Sequence, residues 1–426
     1  MYGSSCPVRA LPVLTALTIL TSCGLGAPAL LGPSPGQVRI PPVQRTEVSP
    51  WGALLVNGQP AVVTSLNKFA GWAGLGWLRS QADYEQRLRE AKAAGFNTLW
   101  VRDIPSQFWN TWSMWSTANA YELQGSREVF NPDRVARIAR DPAMLLWFLH
   151  SEFHGMTSSY SDWTVTKNQV KAVDPNHVVG DLVMYQAGYP SDTTNPYAVM
   201  DYPMPEFTIS EFAPHTQILH IVNEAQYAQR IRSRGARFVN AASVTVVSEF
   251  ATYINGGRPT IPSREEIFRA FLLLVALNYR AFDVLWGANQ VIYSNEQERQ
   301  QLFQNLEQLR PAIDRAWSDT LDAFRLVTGP LYSVVAEPAD FTQILDATPR
   351  FQLQFDRYVG VYAAQKPAGG ASYVVAVNPQ DGPLSVSIPV SGSSATELVT
   401  GQAVSLTGGR ISVTLPARAA RVYAVR

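Results

Sequence analysis

The sequence predicts an α/β protein with a closed, TIM-like (β/α)8 barrel over residues 49–330 and an antiparallel β-sandwich over residues 331–426. Three observations predict it. From Ala61 to Trp286 short apolar, β-branched runs alternate with segments of helical period, the pattern of a parallel sheet. That many units within about 280 residues favour a closed barrel over an open sheet. After Gly329-Pro330 the pattern changes to brief alternating runs separated by turn residues, the mark of an antiparallel sandwich.

Strands are predicted at Ala61 to Leu66, Thr98 to Val101, Ala143 to Leu149, His177 to Val183, Ala198 to Tyr202, Val244 to Val247 and Ala281 to Trp286. The first helix runs from Asp83 to Ala94, with Tyr84, Leu88 and Ala91 at helical spacing and Gly95 ending it. Further helices are expected at Trp163 to Val173, Gln217 to Arg234, Arg264 to Arg280 and Glu296 to Trp317. No third strand is evident between Asp103 and Ala143. Arg127 to Phe130 is the sole candidate, so the barrel is expected to be irregular near strand three. The sandwich strands are Phe351 to Phe355, Tyr373 to Val377, Leu384 to Val390, Ile411 to Leu415 and Arg421 to Val425, with turns at Asn378-Pro379, Asp381-Gly382-Pro383 and Gly408-Gly409.

Arg9 precedes an apolar run from Ala10 to Leu20, which is followed by Thr21-Ser22-Cys23-Gly24. The order is that of a secretory signal, and the run is shorter than the roughly 20 residues of a membrane span. Small residues before a Cys also resemble the bacterial lipobox, which implies removal of residues 1–22 and acylation of Cys23 as a membrane anchor. A plain secretory signal with an incidental Cys is the alternative. Residues 23–48, rich in Pro and Gly, read as a flexible tether. The chain has 2 Cys, Cys6 and Cys23; processing removes one and acylates the other, so no disulfide is expected. With 34 basic and 34 acidic residues the charge balances, which argues against nucleic acid and provides no polybasic membrane patch. Lipid alone would hold the chain to the cell envelope, facing away from the cytoplasm.

Val56-Asn57-Gly58-Gln59-Pro60, Lys92-Ala93-Ala94-Gly95-Phe96-Asn97-Thr98, the stretch Arg140 to Leu149 and Asp174-Pro175-Asn176-His177 carry a family resemblance. They resemble, in turn, the hairpin before strand one, the passage from helix one to strand two, the approach to strand four and the lead into strand five of the broad (β/α)8 glycoside hydrolase superfamily. In that superfamily two catalytic carboxylates stand at the ends of strands four and seven. Glu152 and Glu249 follow apolar strands at the face where barrel enzymes build their sites, and they lie 97 residues apart, room for three βα units. The resemblance implies Glu152 as acid/base and Glu249 as nucleophile of a retaining glycosidase, whose two carboxyls stand about 5 to 5.5 Å apart. Ser151 and Phe153 depart from the pattern, where Asn or Asp usually precedes the acid and Pro often follows it.

Around these acids the resemblance places Arg102 and Asp103 at the end of strand two, Ser151 beside the acid, and Asp201 and Tyr202 at the end of strand six. Trp286, after strand eight, is expected to form the platform under the sugar, with Asn289 near it. Trp109, Trp112 and Trp115 recur at every third position, either as a cleft ladder or, as the helical spacing favours, as a buried stripe. His150-Ser151-Glu152 lacks the cysteine half of a zinc deaminase motif, and His150 and His154 do not share a helix, so neither metal nor cofactor is expected. The reading is a carbohydrate-active hydrolase. A non-catalytic carbohydrate-binding surface lipoprotein with a degenerate site, or a purely structural surface protein, are the alternatives.

Overall fold

The computed structural model describes residues 40–67, 80–101, 104, 108–124, 127–149, 160–184, 199–209, 221, 241–247, 261–286, 296–345, 348–352 and 355–426. Strands β1 (Thr46–Val48), β2 (Leu54–Val56) and β3 (Gln59–Ala61) form a small antiparallel sheet. Its β2–β3 turn uses Asn57 and Gly58 at φ of 52° and 80°, the pair of positive values that a two-residue hairpin turn needs. The chain before it is bound rather than free: Val43 N–H donates to Pro142 O at 2.8 Å, and Thr46 Oγ1 donates to Leu145 O at 3.0 Å while accepting from Val178 N–H at 2.9 Å. The tether expected to reach residue 48 therefore gives way to packed chain by Val43, which is buried against the strand starts.

Eight parallel strands close the barrel. They are β4 (Thr64–Asn67), β5 (Thr98–Trp100), β6 (Trp115–Asn119), β9 (Met144–Phe148), β10 (Val178–Met184), β11 (Tyr202–Thr208), β12 (Ala241–Val247) and β13 (Ala281–Trp286), in that order, with β13 pairing back to β4. Between β6 and β9 lies a hairpin of β7 (Tyr121–Gln124) and β8 (Arg127–Phe130). The third strand is thus Trp115–Asn119, not Arg127–Phe130. Helical tryptophan spacing hid it: Trp109 and Trp112 belong to a five-residue helix, Phe108–Trp112, but Ser113 at φ 48° breaks the helix and Trp115 opens the strand. The sixth strand also differs, beginning at Tyr202 where the sequence reading ended it. Pro203 and Pro205 disguise it. They are tolerated because β11 pairs there with β10 alone and meets β12 only from Glu206 onward, leaving one edge with no N–H demand.

The helices are α1 (Gln81–Ala93), α2 (Phe108–Trp112), α3 (Pro132–Ile138), α4 (Tyr160–Val173), α5 (Arg264–Ala276), α6 (Glu296–Thr328) and α7 (Tyr332–Ala336). Local signals set their ends. Ser80, Asn131 and Ser263 cap α1, α3 and α5, the last in a reciprocal capping box with Glu266, and Asn278 at φ 71° stops the chain after α5 well before Arg280. Gly95, at φ 95°, lies against the Thr328 side chain, where a Cβ has no room. The helix expected at Gln217 to Arg234 lies outside the described residues except for Ile221.

The C-terminal region holds β14 (Thr342–Leu345), β15 (Thr348–Gln352), β16 (Phe355–Val359), β17 (Tyr362–Ala368), β18 (Ala371–Val377), β19 (Leu384–Pro389), β20 (Ala395–Glu397), β21 (Ala403–Val404), β22 (Arg410–Leu415) and β23 (Ala420–Val425). Six of them form one sheet in the order β14-β17-β18-β23-β20-β21. Period-two alternation divides its side chains between two cores. Ala363, Val374, Ala376 and Tyr423 pack under the β19–β22 pair with Ile388, Ile411 and Leu415, completing a sandwich. Ala364, Val375, Val377 and Val422 join the barrel core, where α5 is buried without a break from Ile267 to Ala276. Arg421 fastens the two halves by gripping both carboxylate oxygens of Glu265, at 2.8 and 3.1 Å. No described helix is long and apolar enough to cross a membrane.

Candidate functional site at the barrel mouth

Alternation along β9 shows which residues face the barrel interior. The Trp147 indole N–H donates to Asp174 Oδ2 at 2.7 Å, just past α4 in the helical layer, so Phe148 turns inward. There the Phe148 ring stacks on Trp100 from β5, with centroids 4.6 Å apart and planes at 29°. Trp100 Nε1–H donates in turn to Asn119 Oδ1 at 2.7 Å. Register confirms the common face: Trp100 stands opposite Thr117, and Asn119 opposite Phe148. These three are the last residues of the second, third and fourth barrel strands, so they floor the C-terminal mouth.

Deeper in the barrel the lining is polar. Asp283 stands in register beside Ser65, and both are buried, as is Tyr202. Burial, with the charge of Asp283 added, pushes the Tyr202 hydroxyl well above its ordinary pKa and keeps it protonated. Tyr202 is inward-facing at the opening of its strand, beside Gly180, whose missing Cβ leaves room for the Tyr202 backbone.

Several predicted site residues sit elsewhere. Asp201 precedes β11 at the N-terminal end of the barrel, opposite to the mouth. It accepts from Lys167 Nζ at 2.6 Å and from Val179 N–H at 3.2 Å, with Lys171 Nζ also 3.2 Å away. Burial pushes its carboxyl up, but the two ammonium groups outweigh that and hold it below the usual carboxylate range. It is a tie between α4 and the strand starts. Tyr202 likewise begins its strand rather than ending it. Trp286 is the last residue of β13, yet it is wholly buried and meets Trp317 of α6 edge-on, with centroids 5.2 Å apart. It faces the helices and forms no platform. Of the aromatic stripe, Trp109 is buried and Trp115 donates to Pro41 O at 2.9 Å below the barrel, so the buried reading of both holds.

Glu152, Glu249, Arg102, Asp103, Ser151, Asn289, His150, His154 and Cys23 lie outside the described residues. Their strands are described. Glu152 follows the end of β9 by four residues and Glu249 follows the end of β12 by two, and these are the fourth and seventh strands of the closed barrel. Trp100 and Asn119 were missed by sequence reasoning. Asn119 went unseen because its strand did, although the run Trp115-Ser116-Thr117-Ala118-Asn119 is rich in strand-favouring residues.

No family model matches the chain, and no curated protein does. Solved structures are similar in fold. A glycoside hydrolase family 5 protein from Bacteroides vulgatus aligns over 90% of this chain and 93% of its own, at 12% identity and a TM-score of 0.53. An α-amylase from Anoxybacillus aligns over 89% and 99%, at 9% identity and a TM-score of 0.49. A putative alpha-galactosidase/melibiase from Bacteroides fragilis aligns over 80% and 75%, at 11% identity and a TM-score of 0.48.

Proposed function

We propose that this chain is a glycoside hydrolase acting on a poly- or oligosaccharide outside the cytoplasm, by a retaining mechanism in which Glu152 is the acid/base and Glu249 the nucleophile. One observation carries the reading: the strands these two residues follow are the fourth and seventh of a closed parallel barrel. The fold shared with a family 5 glycoside hydrolase supports it. In such chemistry the protonated Glu152 carboxyl gives its proton to the leaving oxygen while ionised Glu249 attacks the anomeric carbon. Water, activated by the same Glu152, then releases the glycosyl group with configuration retained. Arg102 and Asp103 after β5, Ser151 beside the acid and Asn289 after β13 would contact substrate or steady the nucleophile. A lipid on Cys23 would hold the enzyme in the bacterial cell envelope.

The test uses 4-nitrophenyl glycosides. Glu249→Ala should lose nearly all turnover, whereas Glu152→Ala should keep more on this good leaving group than on alkyl glycosides, whose departure needs the proton. The anomer first released, read by NMR, checks retention. Equal and small effects of both substitutions would favour the carbohydrate-binding reading, which the departures at Ser151 and Phe153 also favour.

A further inference from the structure

We infer that Asn119 is a substrate-binding residue, donating a hydrogen bond from its side-chain amide to a hydroxyl oxygen of the sugar at the barrel mouth; this rests on the glycosidase reading. The chemistry of its partner fixes its orientation. An indole N–H can only donate, so the Asn119 atom that meets Trp100 Nε1 at 2.7 Å must be the carbonyl oxygen. The amide nitrogen therefore points the other way with two donor hydrogens, and no acceptor for it exists among the described residues.

The rest of the surroundings holds the group still. The Trp100 ring that sets the amide is clamped against Phe148 and is 8% exposed. The Asn119 backbone carbonyl accepts from the buried Arg134 guanidinium at 2.5 Å, and the next N–H, of Ala120, donates to Phe148 O at 2.7 Å. The side chain itself is only partly buried. A rigid, partly exposed donor at the end of the third barrel strand, held by a buried aromatic pair from the second and fourth, suits a sugar hydroxyl, whose oxygen takes the N–H. Glu152 follows by four residues the end of the strand that supplies Phe148.

Asn119→Asp tests it, because the carboxylate keeps the shape and still accepts from Trp100 while the donor is lost. Asn119→Ala and Trp100→Phe accompany it, the latter keeping an aromatic ring but freeing the amide to turn. On the 4-nitrophenyl glycoside that the wild type cleaves best, Asn119→Asp and Asn119→Ala should each lower kcat/KM about tenfold or more, with unchanged near-UV circular dichroism. On the monodeoxy glycoside lacking the contacted hydroxyl, wild type and Asn119→Ala should become equal, which a merely structural role would not produce. Trp100→Phe should lose less, and add nothing in the Asn119→Ala background. If the wild type cleaves the glycoside but Asn119→Asp stays within twofold of it on every substrate, this inference fails while the hydrolase reading stands. A wild type that neither cleaves nor binds any glycoside of the panel overturns both.

Discussion

Lys366 should make this protein more stable as the pH rises from neutral to mildly alkaline, against the usual trend. It projects from β17 into the junction between barrel and sandwich, is buried, and donates to the backbone oxygens of Val334 and Glu337 at the end of α7. Arg280, also buried, spreads its guanidinium over the same turn, bonding Val335 O at 2.8 Å and Asp340 Oδ1 at 2.9 Å. Burial first, and then the Arg280 charge, push the lysine amine down from 10.5 to about 8. Because the folded value is the lower one, the unfolded chain holds the extra proton between pH 8 and 10.5, and stability rises with pH through that window. Integrating the two titrations from pH 7.5 to 9.5 gives a gain of about 2 kcal/mol. The buried tyrosines act in the opposite sense, but only above pH 10, their ordinary value. Urea unfolding followed by near-UV circular dichroism at several pH values measures the effect, with Lys366→Met as the control. The wild-type gain should be absent from Lys366→Met, which fills similar volume without a charge. Parallel profiles for the two proteins, or a fall in wild-type stability across this range, would show that Lys366 does not titrate in the folded protein below its unfolded value.

Asp201→Asn should cost about 2 to 3 kcal/mol, since it leaves Lys167 and Lys171 facing a neutral, partly buried partner; chemical unfolding at pH 7 measures it. The folded carboxyl titrates below its unfolded value, so the stabilisation is complete above about pH 5 and disappears as the pH falls through the folded pKa, and the substitution should flatten the acid limb of the stability profile. Trp286→Leu should cost about 3 kcal/mol through the cavity it opens against Trp317, and leave KM unchanged in whatever protein folds, since the ring does not reach the mouth. Cys23→Ala should leave the protein soluble or unprocessed on cell fractionation; a membrane-bound variant of normal mature mass would remove the lipid anchor from the account.

Most barrel strands were legible because they are short apolar runs with turn residues at their ends, and Ala281–Trp286 falls where the residues alone place it. The two that were not legible failed for opposite reasons. Trp115–Asn119 is polar on one face, since Thr117 and Asn119 line the interior, and its tryptophan continued a helical period set by α2. Tyr202–Thr208 carries two prolines that read as strand breakers, and only the neighbouring register explains why they fit. The error in the sixth strand then propagated. Placing its end at Tyr202 turned Asp201, a tie at the bottom of the barrel, into a site residue.

Orientation was harder to read than position. Trp286 does end its strand, but alternation sends its ring outward to α6, and period-two reasoning from one strand cannot say which face is inside until a neighbour fixes it. Trp147 and Phe148 supply that reference, the first bonded to Asp174 outside, the second stacked on Trp100 inside. The acids depend on a different quantity, their ordinal place. Glu152 follows the fourth strand only because the third is Trp115–Asn119 and the hairpin of Tyr121–Gln124 with Arg127–Phe130 stays out of the barrel. Had that hairpin contributed a strand, Met144–Phe148 would have become the fifth and the two-carboxylate assignment would have lost its frame. The same strand that secures the count also ends in Asn119, so one experiment on that residue bears on both the chemistry and the topology that locates it.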